Sequence, residues 1–353
     1  MNGAPRKRAT SAPYAIVTGA SSGIGRAIAL TLAARGYRLA LQGRDGRRLD
    51  ATTEAALDLA ERNHAGWNGK DPTRRDPSRD EPSRDDPNQD DPNQDDPERA
   101  IAAAYDELAR EDDAFEARRQ AARARGETIE DDDSPADLAE PTGGFGSFAE
   151  DDPELHWSHR NEGLPPPVLP YRVDLTNDEA VGRLVRRLLR VEEYEGTPPA
   201  VLIHSAGTIR LGPLAEASVF DLDLQYQVNV RAPFVLTQAL LPALERARGH
   251  VVFVNSGAGL RANAEWGTYA ASKFALKALA DALRQEVAPR GVRVTTVYPG
   301  RTATPMQERV VAHEEREYRP ERFVRPVDVA AQVAAVLAVP APSVVSDLQI
   351  RPL

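Results

Sequence analysis

A tyrosine and a lysine one helical turn apart are the residues of this sequence whose types and spacing best suit acid–base chemistry. Tyr269 and Lys273 occupy positions i and i+4 of a segment that predicts a long helix, so their side chains share one face. A free phenol has a pKa of about 10. A nearby ammonium group lowers that pKa by favouring the phenolate, which would make Tyr269 a competent proton donor and acceptor. Taken singly, such a pair also occurs on helices without a catalytic role.

A serine is predicted at the sheet edge where the tyrosine would act. Ser256 closely follows the apolar run 251–254, which predicts a buried strand. Ligands bind at the carboxyl ends of the strands in open α/β sheets. The hydroxyl of Ser256 is therefore placed to donate a hydrogen bond to the oxyanion that develops on a carbonyl under attack. A serine that merely ends a strand is the alternative.

Three glycines in one strand-to-helix turn indicate a phosphate-binding loop. Residues 18–25 read TGASSGIG, and Gly19, Gly23 and Gly25 would allow a tight turn and a close backbone approach to a pyrophosphate. The helix that follows would present free N–H groups to that anion. The spacing differs from the general GxGxxG fingerprint, so the motif alone also fits a turn without a ligand.

The elements that would position these residues alternate between strand and helix. Strands are predicted at 14–17, 38–41, 168–173, 200–203, 250–254, 292–298 and 344–350. Helices are predicted at 26–35, 45–62, 178–194, 224–247, 268–287 and 326–339. This alternation predicts an α/β fold with a Rossmann-like, doubly wound parallel sheet. The catalytic domain would be single but discontinuous, formed by residues 12–60 and 168–353.

A long acidic insertion, residues 61–167, interrupts the pattern. Residues 71–154 hold 28 Asp and Glu against 10 Lys and Arg. Pentads with proline in second place begin at residue 71, and proline at every fifth position prevents a continuous helix. We therefore expect residues 64–98 to be disordered or extended. The acidic charge would repel nucleic acid, whereas a basic protein partner for the insertion stays open.

One helix is predicted inside the insertion, over residues 98–125. Its apolar stripe is thin and is interrupted by Asp112. Because the insertion joins a helix to a strand, we expect it to emerge at the amino ends of the strands, away from the binding crevice. Deleting residues 64–165 would then leave kcat/KM within a few-fold.

The amino-acid composition limits the cellular compartments and the kinds of catalytic site that are possible. The chain has no cysteine, which excludes disulfides and thiol nucleophiles and fits a reducing, cytoplasmic location. No apolar run reaches the length that a membrane-spanning helix needs. The 6 histidines show no metal-ligand spacing. His156 and His159, beside several carboxylates, are more readily interpreted as part of a solvated loop than as metal ligands.

Taken together, the glycine motif, Asn229, Ser256, Tyr269 and Lys273 resemble the short-chain dehydrogenase/reductase family in order and context. The resemblance covers residues 12–60 and 168–353. It implies an oxidoreductase that interconverts a small-molecule carbonyl and a secondary alcohol. By the resemblance Tyr269 is the general acid/base and Ser256 orients the carbonyl. Lys273 would hold the nicotinamide ribose and lower the pKa of the tyrosine, and Asn229 would anchor a proton-relay water.

The resemblance also implies the cofactor-binding residues. These are Thr18, Gly19, Ser21, Ser22, Gly23, Ile24, Gly25, Arg44, Asp174, Leu175, Ala206, Gly207, Tyr269, Lys273, Pro299, Gly300, Thr302 and Thr304. Asp174 would lie near the adenine ring, and the loop from Pro299 would meet the nicotinamide carboxamide. The chain departs from the family where Asn-Asn-Ala-Gly is expected, because residues 204–207 read HSAG. We interpret His204 as a structural histidine rather than an additional base.

The end of the second strand favours NADP(H) over NAD(H). NAD enzymes of this architecture place a carboxylate there, on the ribose 2′-hydroxyl. This chain has Arg44 instead, which could bind a 2′-phosphate through two hydrogen bonds. Asp45, which follows, is more simply the N-cap of the next helix. An Arg44 that points into solvent is the alternative.

Three further expectations concern substrate, assembly and class. Residues 306–323 would cover the substrate, and their many charged side chains suggest a polar or accessible pocket. We expect a homodimer, formed through the helix that carries Tyr269 and the helix before it, and no membrane association. The alternative function is a nucleotide-sensing or scaffolding protein that recruits partners through the acidic insertion.

Overall fold

The computed structural model describes residues 12–66, 96–125, 168–195 and 197–353, and within them a parallel sheet of seven strands. The strands are β1 (Tyr14–Thr18), β2 (Arg38–Gly43), β3 (Val168–Arg172), β4 (Pro199–His204), β5 (His250–Val254), β6 (Arg293–Pro299) and β7 (Asp347–Ile350). Their order across the sheet is β3-β2-β1-β4-β5-β6-β7. The chain therefore winds outward in both directions from β1. The direction of winding reverses between β1 and β4. In such sheets ligands bind at the carboxyl ends of the strands, at this reversal point.

Helices cover both faces of the sheet. They are α1 (Gly23–Ala33), α2 (Gly46–Gly66), α3 (Pro97–Ala124), α4 (Asp178–Glu195), α5 (Val219–Tyr226), α6 (Ala232–Ala247), α7 (Gly267–Val287), α8 (Pro305–His313) and α9 (Pro326–Ala338). Alternate residues of β1 face opposite layers. Ala15 and Val17 pack with α1, α2 and α9, whereas Tyr14 and Ile16 pack with α4, α6 and α7. Burial on both faces explains why the strands are apolar throughout.

This architecture confirms the predicted doubly wound α/β fold, and the differences are local. The helix predicted over 224–247 begins earlier, as α5, and passes through one π-helical turn, Gln227–Arg231, before it continues as α6. The last strand begins only at Asp347. Helix α8, whose N-cap is Thr304, was not predicted, because residues 306–323 were expected only to cover the substrate.

Helix α3, which comes from the insertion, forms an additional layer over α1, α2 and α9. Its apolar stripe is buried there: Ile101 is 1% exposed, and Tyr105 and Leu108 are less than a tenth exposed. The helix starts near the amino edge of the sheet, where Glu98 pairs with Arg35 at 2.8 Å. It then runs toward the opposite, carboxyl edge, so the expectation that the insertion stays away from the crevice is wrong for this helix.

Several expectations fall wholly or partly outside the described residues. The proline-rich repeats, the acidic loop after residue 125, and His156 and His159 lie outside them. At the borders of the repeat segment, α2 continues to Gly66 and α3 begins at Pro97, so the ends of the range 64–98 are helical. In the described part of the chain no helix combines the length and the apolar character needed to cross a membrane. The cytoplasmic location stays a prediction.

Candidate active site

A cleft of about 1120 Å³ opens at the carboxyl edge of the sheet, across the reversal point beside β1. The turns that follow β1, β2, β4, β5 and β6 all contribute residues to its wall. Helix α8 and the end of α3 contribute further residues. The cleft therefore lies where the sequence predicts the binding site.

The glycine turn after β1 forms a tight cradle on the floor of the cleft. Gly19 has a φ of +70°, and a Cβ atom on it would lie 2.7 Å from the backbone of Ala206. On Gly25 a Cβ atom would lie 2.1 Å from the carbonyl oxygen of Gly19. Only glycine fits either position. Ser22, the N-cap of α1, makes no side-chain cap, so the first N–H groups of the helix are left for an anion in the cleft.

Two polar side chains behind the turn hold it in place. The N–H of Gly19 donates to Oε1 of Gln42 at 3.1 Å, and Nε2 of Gln42 donates to the carbonyl of Val173 at 2.6 Å. The hydroxyl of Thr18 accepts hydrogen bonds from the N–H groups of Ser205 and Ala206. Thr18 is 1% exposed and is not on the cleft wall, so it supports the cradle from behind rather than facing a ligand.

The cleft wall beside β2 carries Arg44, the residue predicted to distinguish the two cofactors. Arg44 is exposed, lines the cleft, and has no hydrogen-bond or ion-pair partner among the described residues. Asp45 caps α2, since its Oδ1 accepts from the N–H of Arg48 at 2.9 Å. Asp174 also lines the cleft, and its Oδ1 accepts from the N–H and the hydroxyl of Thr176. This end of the cleft suits an adenosine group.

Tyr269, Ser256 and Lys273 meet at the other end of the cleft. All three line it, although Tyr269 is 6% exposed and Lys273 only 3%. Ser256 follows β5 and hydrogen-bonds with the phenol of Tyr269. Nζ of Lys273 lies 5.8 Å from the centre of the tyrosine ring and donates to the carbonyl of Val254 at 3.3 Å. The structure thus places a proton donor, a hydroxyl and a cation together.

The protonation of this group differs from the sequence-based expectation. Burial raises the pKa of Tyr269 to about 12, and the hydrogen bond with Ser256 acts in the opposite direction. Burial lowers the pKa of Lys273 to about 8. We expected Lys273 to bring the pKa of the phenol below its ordinary value, but in the structure the effect of burial dominates. Tyr269 therefore keeps its proton at neutral pH.

Asn229 lies behind Tyr269, Ser256 and Lys273 instead of on the cleft wall. It sits in the π-helical turn, is fully buried, and its side-chain oxygen accepts from the N–H of Thr208 at 2.8 Å. Its amide nitrogen donates to the carbonyl of Thr208 at 2.9 Å and to Ser272 at 3.0 Å. With its side chain engaged in this way, Asn229 ties the loop after β4 to α7. A role in holding a water would have to fall to its backbone carbonyl.

The loop after β6 closes over the glycine turn. Pro299, Gly300, Thr302 and Thr304 all line the cleft, as predicted. Thr304 caps α8 by accepting from the N–H of Gln307 at 3.2 Å, and a Cβ atom on Gly23 would lie 3.1 Å from its methyl group. This loop therefore covers the middle of the cleft. The remaining predicted cofactor residues, Ser21, Ile24, Leu175 and Gly207, are also on the cleft wall.

His204 has a structural environment. Nε2 lies 2.8 Å from the hydroxyl of Thr237, and the ring stacks on Phe253 with 5.0 Å between the centroids. Burial lowers the pKa of His204 to about 3, so the ring is neutral at physiological pH. It is not part of the cleft wall.

The mouth of the cleft beside Tyr269 combines an apolar floor with a basic rim. Ile209, Trp266 and Met306 pack around Tyr269, and the Trp266 ring meets the tyrosine edge to face at 5.9 Å. Exposed arginines line the rim, among them Arg210 and Arg309. The pocket that residues 306–323 were expected to make polar or accessible thus has apolar side chains around Tyr269 and charged side chains at its rim.

Several residues that shape the site were not predicted from the sequence. Gln42 and Asn255 orient backbone from behind, Asn255 by donating to the carbonyl of Lys273 at 3.0 Å. Glu116 and Arg119 of α3 lie on the wall of the cleft near Arg44. No short motif marks these four residues, and the partners of Gln42 and Asn255 are 18 to 131 positions away in the sequence. Asp112 is visible in the sequence, because it interrupts the apolar stripe of α3.

Comparison with known proteins shows which family the chain resembles. A family model for short chain dehydrogenases matches residues 13–69 and 149–315, and it leaves out most of the acidic insertion. The chain is 33% identical over 152 residues to sepiapterin reductase of Chlorobaculum tepidum, which covers 43% of this chain and 60% of the relative. It is 36% identical over 132 residues to the NADPH-dependent 3-dehydrocapnine reductase of Ornithobacterium rhinotracheale, covering 36% of this chain and 46% of the relative. The matches thus span about half the length of these relatives.

The fold also matches solved structures. One is an alcohol dehydrogenase from the archaeon Thermococcus sibiricus, determined in complex with 5-hydroxy-NADP, with a TM-score of 0.58 and 20% identity. The match covers 97% of each chain. At this identity the likeness shows the fold.

Proposed function

Because the chain belongs to the short-chain dehydrogenase family, we propose that it is an NADP(H)-dependent oxidoreductase that interconverts a carbonyl and a secondary alcohol. The main support for this proposal is that Tyr269, Ser256 and Lys273 lie together at one end of the cleft. The glycine turn after β1 forms the floor of the same cleft. A bound nicotinamide would supply or accept the hydride at the carbonyl carbon. The residues of the chain would orient the substrate and move the proton.

In the reducing direction, the role of each side chain follows from its protonation state. Ser256 donates a hydrogen bond to the carbonyl oxygen and so stabilises the negative charge that develops there. Tyr269 then gives its proton to that oxygen. The charge of Lys273 stabilises the phenolate that remains. Burial raises the pKa of Tyr269 to about 12, so at neutral pH the phenol carries the proton that this step transfers.

The test is an assay of purified protein with NADPH or NADH and a panel of ketones, aldehydes and diketones, followed by the absorbance of the reduced cofactor. Turnover with NADPH that requires Tyr269 would establish the reductase. Tight NADPH binding without turnover of any panel member would instead favour the sensor alternative. Loss of both binding and turnover would contradict the proposal.

NADP(H) is proposed as the cofactor because Arg44 stands unpaired on the adenosine side of the cleft. Several solved structures of the same fold contain NADP or NADPH, and one curated relative is NADPH-dependent. We expect Arg44→Asp to weaken NADPH binding by about 10- to 100-fold, because a charge-assisted hydrogen bond becomes a repulsion. NADH binding should change far less. Fluorescence titration of both cofactors measures this, and equal losses for the two would rule out the assignment.

A homodimer is proposed through α6 and α7. Each of these helices leaves a large apolar side chain in solvent: Phe234 on α6 is 48% exposed and Phe274 on α7 is 43% exposed. Light scattering should give the mass of a dimer for the wild type and of a monomer for the double variant Phe234→Glu, Phe274→Glu. A monomeric wild type would contradict the proposal.

A further inference from the structure

A small side pocket of about 210 Å³ lies next to the cleft. The loop after β4 and helix α8 line it, with Ile209, Arg210, Leu211, Arg309, Val310 and His313. The cleft and the side pocket share Ile209, Arg210, Arg309 and Val310, so the two spaces are adjacent. Among the described residues, none from the glycine turn or from the end of β2 lines the side pocket.

The shared wall places the side pocket beside Tyr269. Ile209 is 8% exposed and Val310 is 3% exposed, and both pack in one cluster with Tyr269. Arg210 follows Ile209 in the chain, and Arg309 precedes Val310. Both arginines therefore lie at the end of the cleft where the substrate carbonyl would be reduced.

Arg210 and His313 are each paired with a carboxylate at the surface. Nε of Arg210 lies 3.5 Å from Oδ1 of Asp221, and its Nη1 donates to the carbonyl of Ile209 at 3.1 Å. His313 lies 3.6 Å from Glu265. In the part of the chain that the structure describes, Nη2 of Arg210 has no partner, so this group is left for a ligand.

Arg309 is the least compensated charge of the side pocket. It makes neither a hydrogen bond nor an ion pair with any described residue. Its pKa lies below the ordinary value, because partial burial and the positive charges of Arg210 and Arg48 disfavour the protonated form, whereas Glu308 acts in the opposite direction. An anion beside Arg309 would offset this repulsion.

We propose that the substrate is a carbonyl compound that also carries an anionic group, in the simplest case a carboxylate, which Arg309 and Arg210 bind in the side pocket. The inference rests on the proposed function, because it assumes that Tyr269 acts on the carbonyl. Guanidinium groups form charge-assisted hydrogen bonds with carboxylates, which are stronger than neutral ones. Ile209 and Val310 would contact the apolar chain between the carbonyl and the anionic group.

Matched pairs of substrates test the role of the negative charge. The wild type is assayed with NADPH and linear oxo acids, from acetoacetate to levulinate and longer chains, and with the methyl ester of each acid. We expect at least one acid to exceed its ester in kcat/KM by about 10- to 100-fold, because the ester lacks the charge that the arginines bind. This preference should fall as the salt concentration rises, since charges near the surface are screened.

The variant Arg309→Gln tests the residue itself. It should lower kcat/KM for the preferred acid by about 10- to 100-fold, mainly through KM, and leave the ester within about two-fold. The affinity for NADPH, measured by fluorescence titration, should not change. Arg309→Lys keeps the charge and should retain part of the preference. Thermal unfolding of each variant shows that it is folded.

Arg316→Gln is the matched control, since Arg316 is exposed just after α8 and lines neither the cleft nor the side pocket. It should leave the ratio of acid to ester unchanged. Esters that equal their acids throughout the series, or equal effects of the two glutamine variants, would overturn the inference. A loss of NADPH affinity in Arg309→Gln with an unchanged ratio would assign Arg309 to the phosphates of the cofactor, which also overturns it.

The same assays separate this inference from the proposed function. If neutral ketones are reduced and no acid is preferred over its ester, the proposed function stands and only this inference fails. If no compound, charged or neutral, is turned over with either cofactor, the proposed function fails and the inference fails with it.

Discussion

Replacing Tyr269 with phenylalanine is expected to lower kcat/KM for carbonyl reduction by about 10²- to 10⁴-fold, the range that a positioned acid or base contributes. The variant loses the phenol proton but keeps the ring, which packs against Trp266. The cradle for the cofactor is formed elsewhere, by the turn after β1. NADPH affinity should therefore change little. Steady-state kinetics with an active panel substrate and a fluorescence titration of NADPH measure the two quantities.

Tyr226→Phe is the control for this prediction. Tyr226 is 37% exposed and does not line the cleft, so removing its hydroxyl should leave the rate unchanged. A Tyr269→Phe variant that keeps more than a tenth of the wild-type kcat/KM would show that another group, or water, delivers the proton. The proposed role of Tyr269 would then be wrong, although family membership would stand.

Burial of Tyr269 has two opposing consequences for the proposed proton transfer. It holds the proton on Tyr269, which favours donation, but it also disfavours the phenolate that donation produces. Lys273 offsets that cost only while it is charged, and its own pKa is lowered to about 8. The side chain is held by a hydrogen bond to the Val254 carbonyl. In the proposed mechanism Lys273 therefore supports the proton transfer that Tyr269 would perform.

Local geometry explains which parts of the site could be predicted. The i, i+4 spacing of Tyr269 and Lys273 determines their shared face once the helix is recognised. The end of β5 determines the edge where Ser256 lies. Asn229 was identified only by the resemblance to a known family. It lies in a π-helical turn, and its side-chain oxygen accepts a hydrogen bond from the N–H of Thr208. No period in the sequence signals such a turn.

The placement of the insertion was wrong because of helix length. Its chain does leave the core at the amino edge of the sheet, as the topology requires. However, α3 has 28 residues, which is about 42 Å at about 1.5 Å per residue. A strand of this sheet has only four to seven residues. The helix is thus long enough to return along α1 to the carboxyl edge, where Arg119 meets the cleft.

Asp112, the residue that breaks the apolar stripe of α3, is the second position where we expect a large effect. Asp112→Ala removes the carboxylate that neutralises Arg26, whose side chain is 2% exposed. A buried charge left without its partner costs about 3–5 kcal/mol of unfolding free energy. For a domain of this size that corresponds to a fall in Tm of about 6–20 °C. Thermal and denaturant unfolding of the full chain measure the loss.

The neighbouring exposed carboxylate is the matched control, because Asp113→Ala removes the same charge from the same turn of α3 without uncovering Arg26. Its Tm should stay close to that of the wild type, and equal Tm values for the two variants would mean that the ion pairs of Asp112 do not hold α3.

The expected effect of deleting residues 64–165 changes for the same reason. That deletion removes Asp112 together with Ile101, Tyr105 and Leu108, so it would leave Arg26 unpaired and expose the face of α1 that α3 now covers. A stability loss at least as large as that of Asp112→Ala is expected, and it would show that α3 is a structural part of the fold.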